Sequence, residues 1–185
     1  PGALAQANVL AGPIVNPSNG HQYYFLSAST WTDAETAAVS LGGHLATVRS
    51  KAENEWILAE FGSLVPGPGT LGLWIGLHDP VGNDGTGAQH AANFIWSSGE
   101  LVTYRNWGAG EPNNTGGEYY TQVLVRPHNS LLPGDWNDTY NNDWSGWQDC
   151  SVVEVIPATI TITSVTPDPS TFGQAVTIAY SIVGT

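Results

Sequence analysis

A chain of 185 residues is one domain with something appended, or two small domains, because domains cluster near ~100–150 residues. Four Lys and Arg against sixteen Asp and Glu leave a net charge of -12, which lacks the basic footprint that phosphate contacts require and excludes nucleic acid and anionic membrane as partners. No run approaches the ~20 apolar residues of a membrane span, and the single cysteine, Cys150, permits no intrachain disulfide and reads as a small buried hydrophobe rather than a nucleophile.

Residues 1–15 lack periodicity and read as an extended lead-in. Within it, Ala3-Leu4-Ala5-Gln6-Ala7 has the small-x-small pattern of a signal-cleavage region, which points to export. After the turn cluster Asn16-Pro17-Ser18-Asn19-Gly20, the run Tyr23-Tyr24-Phe25-Leu26 predicts a first strand. Two helices follow, each announced by a capping box in which a hydroxyl and a Glu three residues later satisfy free amides of the first turn: Thr32 with Glu35, and Ser50 with Glu53. The first buries Ala34, Ala37, Ala38 and Leu41 and stops at Gly42-Gly43; the second buries Ile57, Leu58 and Phe61 and stops at Gly62. Between them, residues 44–48 alternate as either a strand or an extended connector.

Leu73-Trp74-Ile75-Gly76-Leu77 predicts a buried central strand whose glycine marks close packing against another backbone. Residues 79–89 read as a Gly-, Asp- and Asn-rich loop. Phe94-Ile95-Trp96, the turn Ser97-Ser98-Gly99 and Val102-Thr103-Tyr104 then resemble a hairpin. Residues 120–125 and 151–156 are further strands, so two early helices and several later antiparallel strands make the fold class α+β. From Ala158 the composition turns to Thr, Val, Ile, Ser and Pro, with two alternating runs around Pro167-Asp168-Pro169. Two strands do not make a domain. Residues 158–185 are therefore expected either to open an immunoglobulin-like β module or to pair with the first domain or a neighbouring copy.

Polar chemistry concentrates in residues 106–138. Glu111-Pro112-Asn113, Glu118 and Asn137-Asp138 place five oxygen-bearing side chains in two short loops separated by one apolar run. That donor set suits a hard cation, since calcium takes 6–8 oxygens and has no use for nitrogen or sulfur. The acidity of the chain fits cation loading, although it also serves solubility alone. The five histidines, His21, His44, His78, His90 and His128, are scattered without metal-ligand spacing, and no nucleophile elbow, zinc helix or phosphate loop is present. Glu111 and Glu118 could imitate a glycosidase dyad, but the Asn partners and Asp138 argue for calcium instead, and the chain is not read as an enzyme.

The order Trp74-Ile75-Gly76-Leu77, Glu111-Pro112-Asn113, Trp136-Asn137-Asp138 and Val152-Val153-Glu154, after two capped helices, resembles a C-type lectin domain over residues 16–157. The resemblance implies a two-helix, two-sheet fold with a long calcium-binding loop and a cis proline at position 112. Carried over residue by residue, it gives Glu111, Asn113, Glu118, Asn137 and Asp138 as calcium ligands, Glu111, Asn113, Glu118 and Asn137 as carbohydrate contacts, and Trp136 as a core anchor. Glu-Pro-Asn goes with mannose-type ligands in this family, implying mannose, glucose, N-acetylglucosamine or fucose as glycan partners of a secreted or cell-surface protein. The absent disulfides resemble the shorter bacterial members, and Cys150 stands near the family's terminal cysteine. A second calcium position found in some members is incomplete, with Asn114 and Tyr119 where carboxylates are wanted, although Asp79 and Asp84 lie in the right loop. Trp144, Trp147 and an alternative Asn142-Asp143 pair crowd the stretch after Asp138. The alternative function is a structural or adhesive filament subunit whose calcium only stabilises the loop and whose C-terminal strands contact other subunits.

Overall fold

The computed structural model describes residues 7–67, 69–82, 88–141, 148–166 and 177–183. Its frame is set by two strands whose residues are buried almost without interruption, β4 (Gly72–His78) and β8 (Asp149–Val155). They pair in parallel, Leu73 opposite Cys150 and Trp74 opposite Ser151. Such continuous burial means that both faces are covered. Leu73, Ile75, Leu77, Cys150 and Val152 belong to one apolar cluster, while Trp74 and Val153 belong to another. The two-residue period of a strand thus builds one core on each face.

The sheet runs β1-β2-β8-β4-β6-β7, where β1 is Val9–Val15, β2 is Gln22–Ser29, β6 is Tyr120–Leu124 and β7 is Trp136–Thr139. Two short strands sit off this path: β3 (His44–Leu45) on β8, and β5 (Ile95–Trp96) on β4. Helix α1 (Trp31–Ser40) contributes Trp31, Ala34 and Ala38 to the core shared with Trp74 and Val153; α2 (Lys51–Phe61) contributes Ile57 and Phe61 to the other. A Cβ on Gly76 would stand 2.5 Å from the Leu45 carbonyl oxygen, so close backbone approach does require glycine there.

Several local expectations are corrected. Residues 9–15 are a strand rather than a bare lead-in, paired with β2 through a register broken twice. Helix α1 is capped by Thr30, whose hydroxyl accepts from Asp33 N at 3.1 Å, not by Thr32. Glu35 is drawn away to accept from Leu45 N at 2.8 Å and meets His44 Nδ1 at 2.7 Å. Ser50 does cap α2, which ends at Phe61 with Gly62 as its C-cap; the cap has right-handed rather than left-handed backbone and leads into a 3-10 turn, Gly62–Leu64. Residues 88–93, assigned partly to a loop, form a short helix α3 (Ala88–Asn93).

The hairpin expected at 94–104 does not form. The Val102 carbonyl accepts from Trp96 Nε1 at 3.1 Å and from Arg105 NH1 at 2.9 Å, and Arg105 also takes the carbonyls of Tyr104 and Phe94. Side chains therefore satisfy the acceptors that a ladder would otherwise use. Beyond β8, β9 (Thr159–Thr166) and β10 (Thr177–Val183) pair antiparallel as a separate two-stranded sheet. Pro167, Asp168 and Pro169 lie outside the described residues.

Candidate metal centre

The loop that carries the acidic residues is moored on Trp136. This indole is fully buried, donates Nε1 to Asn54 Oδ1 at 2.7 Å, and meets Trp96, Tyr104 and Trp107 edge to face. Its backbone ties down the loop entrance: Trp136 N donates to Asn106 O at 2.9 Å, and Gly108 N to Trp136 O at 2.9 Å. The position expected as a core anchor is one.

From there the chain turns, with Glu111 N donating to Gly108 O at 3.0 Å, and the Glu111–Pro112 peptide is cis. Asn114 has φ +51, a left-handed conformation that Asn tolerates better than most residues. Its side-chain oxygen accepts from Glu118 N at 2.9 Å, which closes the loop back on itself. Thr115 N donates both to Asn113 Oδ1 at 2.7 Å and to Glu118 Oε2 at 3.0 Å.

Asn137 and Asp138 lie not in a loop but on β7, where Asn137 faces Gln122 and Asp138 faces Thr121 across the ladder with β6. Asp138 is buried, while Asn137 is half-buried. The Asp138 carboxylate is the hub of the cluster: Oδ1 accepts from Asn113 N at 3.0 Å, and Oδ2 accepts from Asn114 N at 2.8 Å. Asn113 Nδ2 in turn donates to Glu111 Oε2 at 2.5 Å. Four of the five expected site residues, Glu111, Asn113, Glu118 and Asp138, are thus knitted together directly or through loop amides. Asn137 neighbours them along the strand, and its side chain makes no hydrogen bond among the described residues.

The electrostatics of the cluster are unbalanced. Burial, then the neighbouring Asp138, push the Glu111 carboxyl up to about 7. Burial and the charges of Asp138 and Glu111 push Glu118 up to about 8, against a lowering contribution from the Thr115 amide. The chain's four Lys and Arg are all committed elsewhere: Arg49 to Glu53, Glu100 and Glu154, Lys51 to Glu55, and Arg105 and Arg126 to backbone carbonyls. A cluster of carboxylates and amide oxygens with no Lys or Arg partner has the donor chemistry of a hard-cation site. Among the described residues no group of three or more His, Cys, Asp or Glu side chains is arranged to hold a metal ion. Glu111 Oε2, Glu118 Oε2 and both Asp138 oxygens instead accept from loop amides, with His90 also meeting Asp138 Oδ2.

Sequence reasoning missed His90. It is buried on α3, with Nδ1 3.0 Å from Asp79 Oδ2 and Nε2 3.1 Å from Asp138 Oδ2. Asp79, a candidate for the second cation position, spends its other oxygen on Val81 N at 2.8 Å and Gly82 N at 3.3 Å. The remaining candidates there and in the stretch after Asp138, namely Asp84, Asn142, Asp143, Trp144 and Trp147, lie outside the described residues.

Residues 27–152 match the family described as the Lectin C-type domain. Among known proteins, human lithostathine-1-alpha is 33% identical over 63% of this chain and 65% of its own length. The alpha-N-acetylgalactosamine-specific lectin of Patiria pectinifera is 35% identical over 65% of the chain and 67% of its own length. The mouse low affinity immunoglobulin epsilon Fc receptor is 30% identical over 78% of the chain, which spans only 38% of that receptor. Among solved structures, the cow CD23 C-type carbohydrate-recognition domain, crystallised in the presence of GlcNAc2Man3 oligosaccharide, superposes with a TM-score of 0.55 at 27% identity, covering 74% of this chain and 88% of its own. Human lithostathine superposes with a TM-score of 0.57 at 25% identity, covering 80% and 95%.

Proposed function

The chain belongs to the C-type lectin domain family, and on that premise we propose that it binds glycans of the mannose type through a calcium ion held at the loop of Glu111, Asn113, Glu118, Asn137 and Asp138. The observation that carries this reading is that Asp138 accepts from the Asn113 and Asn114 amides while Glu111 and Glu118 are tied to the same loop through Asn113 and Thr115, with no Lys or Arg partner among them. Family membership supports it from a second side, since one relative is named as a sugar-specific lectin and another was crystallised with an oligosaccharide.

Bound there, calcium would supply open coordination positions for two neighbouring sugar hydroxyls. The protein's part is to orient those hydroxyls. The carboxylates of Glu111 and Glu118 accept their protons, and the amides of Asn113 and Asn137 donate to their oxygens. Mannose-type selection rests on the Glu-Pro-Asn order, which places an acceptor at 111 and a donor at 113. A single shallow site of this kind binds weakly, so useful avidity needs several copies, outside the cell where glycans are displayed. No helix among the described residues is long and apolar enough to cross a membrane. The structural or adhesive alternative is not favoured, because the family and the relatives that the chain matches include sugar-binding lectins.

Calorimetric titration of mannose tests the reading. Heat is expected with calcium present and is expected to vanish in excess chelator and in the double variant Asn137→Asp/Asp138→Asn. Saturable mannose binding that survives chelation would overturn it, as would calcium binding without affinity for mannose, glucose, N-acetylglucosamine or fucose.

A further inference from the structure

The imidazole of His90 is enclosed between two carboxylates that come from distant parts of the chain. Asp79 follows β4, Asp138 lies on β7, and the ring reaches both, at 3.0 Å and 3.1 Å. All three side chains are buried. The ring is itself clamped: Phe94 stands edge to face at 4.8 Å and Tyr119 at 6.2 Å. Asp79 is fixed in turn by the amides of Val81 and Gly82. A continuous strut therefore runs from the turn after β4, through His90, to the residue that holds the backbone of the Glu-Pro-Asn loop.

Counting acceptor sites shows what the strut does to Asp138. A carboxylate offers about four lone-pair directions, two on each oxygen. Asn114 N and His90 Nε2 fill both on Oδ2, and Asn113 N fills one on Oδ1. One direction on Oδ1 remains by this count, and the Glu111 carboxyl also lies within hydrogen-bonding reach of Asp138.

We propose that His90 is a positioning residue of the metal site: it locks Oδ2 of Asp138 away from the ion, so that this aspartate gives calcium a single oxygen, and it fills the space between Asp79 and Asp138 that a second cation would need. The inference rests on the calcium reading of the loop. A histidine serving only as core filler would have its ring against apolar neighbours and one satisfied nitrogen. Here both nitrogens meet carboxylates, and one of those carboxylates also orders the loop. Hydrogen-bond partners of metal-ligating groups commonly govern affinity by ~10–100-fold.

The test uses the full chain, with calcium affinity measured by competition against terbium and the waters on bound terbium counted from luminescence lifetimes in H2O and D2O. His90→Leu is expected to weaken calcium about 10–100-fold. It should also lower the water count by about one, as Asp138 turns its second oxygen to the ion. His90→Gln, whose amide can still donate to Asp138, should recover most of the affinity and the original count. Should the leucine variant fail to fold, Asp79→Asn loosens the same strut from its far end and should weaken calcium in the same direction. Wild-type affinity in every variant, or weaker affinity with an unchanged water count, would overturn the positioning role alone. Failure of the wild-type chain to bind calcium or terbium would overturn the metal reading together with it.

Discussion

Two acidic clusters in this molecule differ in one respect, the source of their positive charge. In the first, Glu53 and Glu154 are buried beside Tyr23, yet Arg49 reaches both, at 3.1 Å and 2.8 Å, and grips Glu100 with its other nitrogens. Burial works against the guanidinium, but hydrogen bonds to Glu100 and Glu154 outweigh it and hold Arg49 above its ordinary range. Burial and then the charge of Glu154 push the Tyr23 hydroxyl upward too, so it stays protonated and donates to Glu53 at 2.6 Å and Glu154 at 3.1 Å. His21, Asn19 and the amides of Thr47 and Arg49 complete the network. In the second cluster Glu111, Glu118 and Asp138 have only neutral donors and His90, and two of the three carboxyls are pushed toward neutrality. The first cluster carries its own guanidinium; the second, on the calcium reading proposed above, would be balanced by a cation from outside.

The largest effect should come from removing the internal cation. Arg49→Met leaves two buried glutamates without their guanidinium, and breaking a buried pair in this way costs about 3–5 kcal/mol. The loss should be the same in calcium and in chelator when read by urea denaturation, because the network is independent of the loop. A calcium-dependent loss would erase the distinction between the clusters.

A second prediction exploits the raised carboxyls. Without metal, the folded chain keeps protons on Glu111 and Glu118, near 7 and 8, that the unfolded chain releases near 4.5. The native state then binds more protons than the unfolded state across that window, so these two groups make stability fall as pH rises. With calcium the slope should reverse on the proposed reading, because the ion would bind the deprotonated carboxylates with an affinity that grows over the same range. Melting curves from pH 5 to pH 8 should therefore diverge with and without calcium, with the largest gap at pH 8. Glu111→Gln/Glu118→Gln should close that gap.

How much of this was legible in the sequence follows from how local each signal is. Ser50 and Glu53 form their cap within one turn, and the alternation of Leu73, Trp74 and Ile75 encodes a strand covered on both faces, so both could be read directly. Glu111, Asn113, Glu118, Asn137 and Asp138 stood out because oxygen donors are dense in that stretch. The start of α1 was not legible, since Thr30 and Thr32 are equally good caps. The choice is made by Asn141, which engages Trp31 N, Thr32 N and the Thr32 hydroxyl from 109 residues away in the case of Thr32. His90 was hidden for the same reason: it sits in an alanine-rich run, 11 residues from Asp79 and 48 from Asp138, and no spacing rule joins the three. The failed hairpin belongs here as well, because Arg105 claims its carbonyls through side-chain contacts that no alternation of residues announces.

The smallest effect should sharpen the second cluster at its rim. Tyr140 follows β7 directly, and its hydroxyl donates to Thr115 O at 2.7 Å, at the turn whose amide holds both Asn113 and Glu118. Burial and the charge of Glu118 raise its phenol, so the group remains a donor across the physiological range. Tyr140→Phe removes one exposed hydrogen bond and leaves the ring, which costs about 0.5–1.5 kcal/mol of loop order. On the calcium reading that order belongs to the metal-binding loop, and the change should weaken calcium by roughly 2–10-fold. Stability in chelator should barely change. An equal loss of stability in chelator would mean that Tyr140 belongs to the fold, and that the rim of the loop, like the Arg49 network, is complete before any ion arrives.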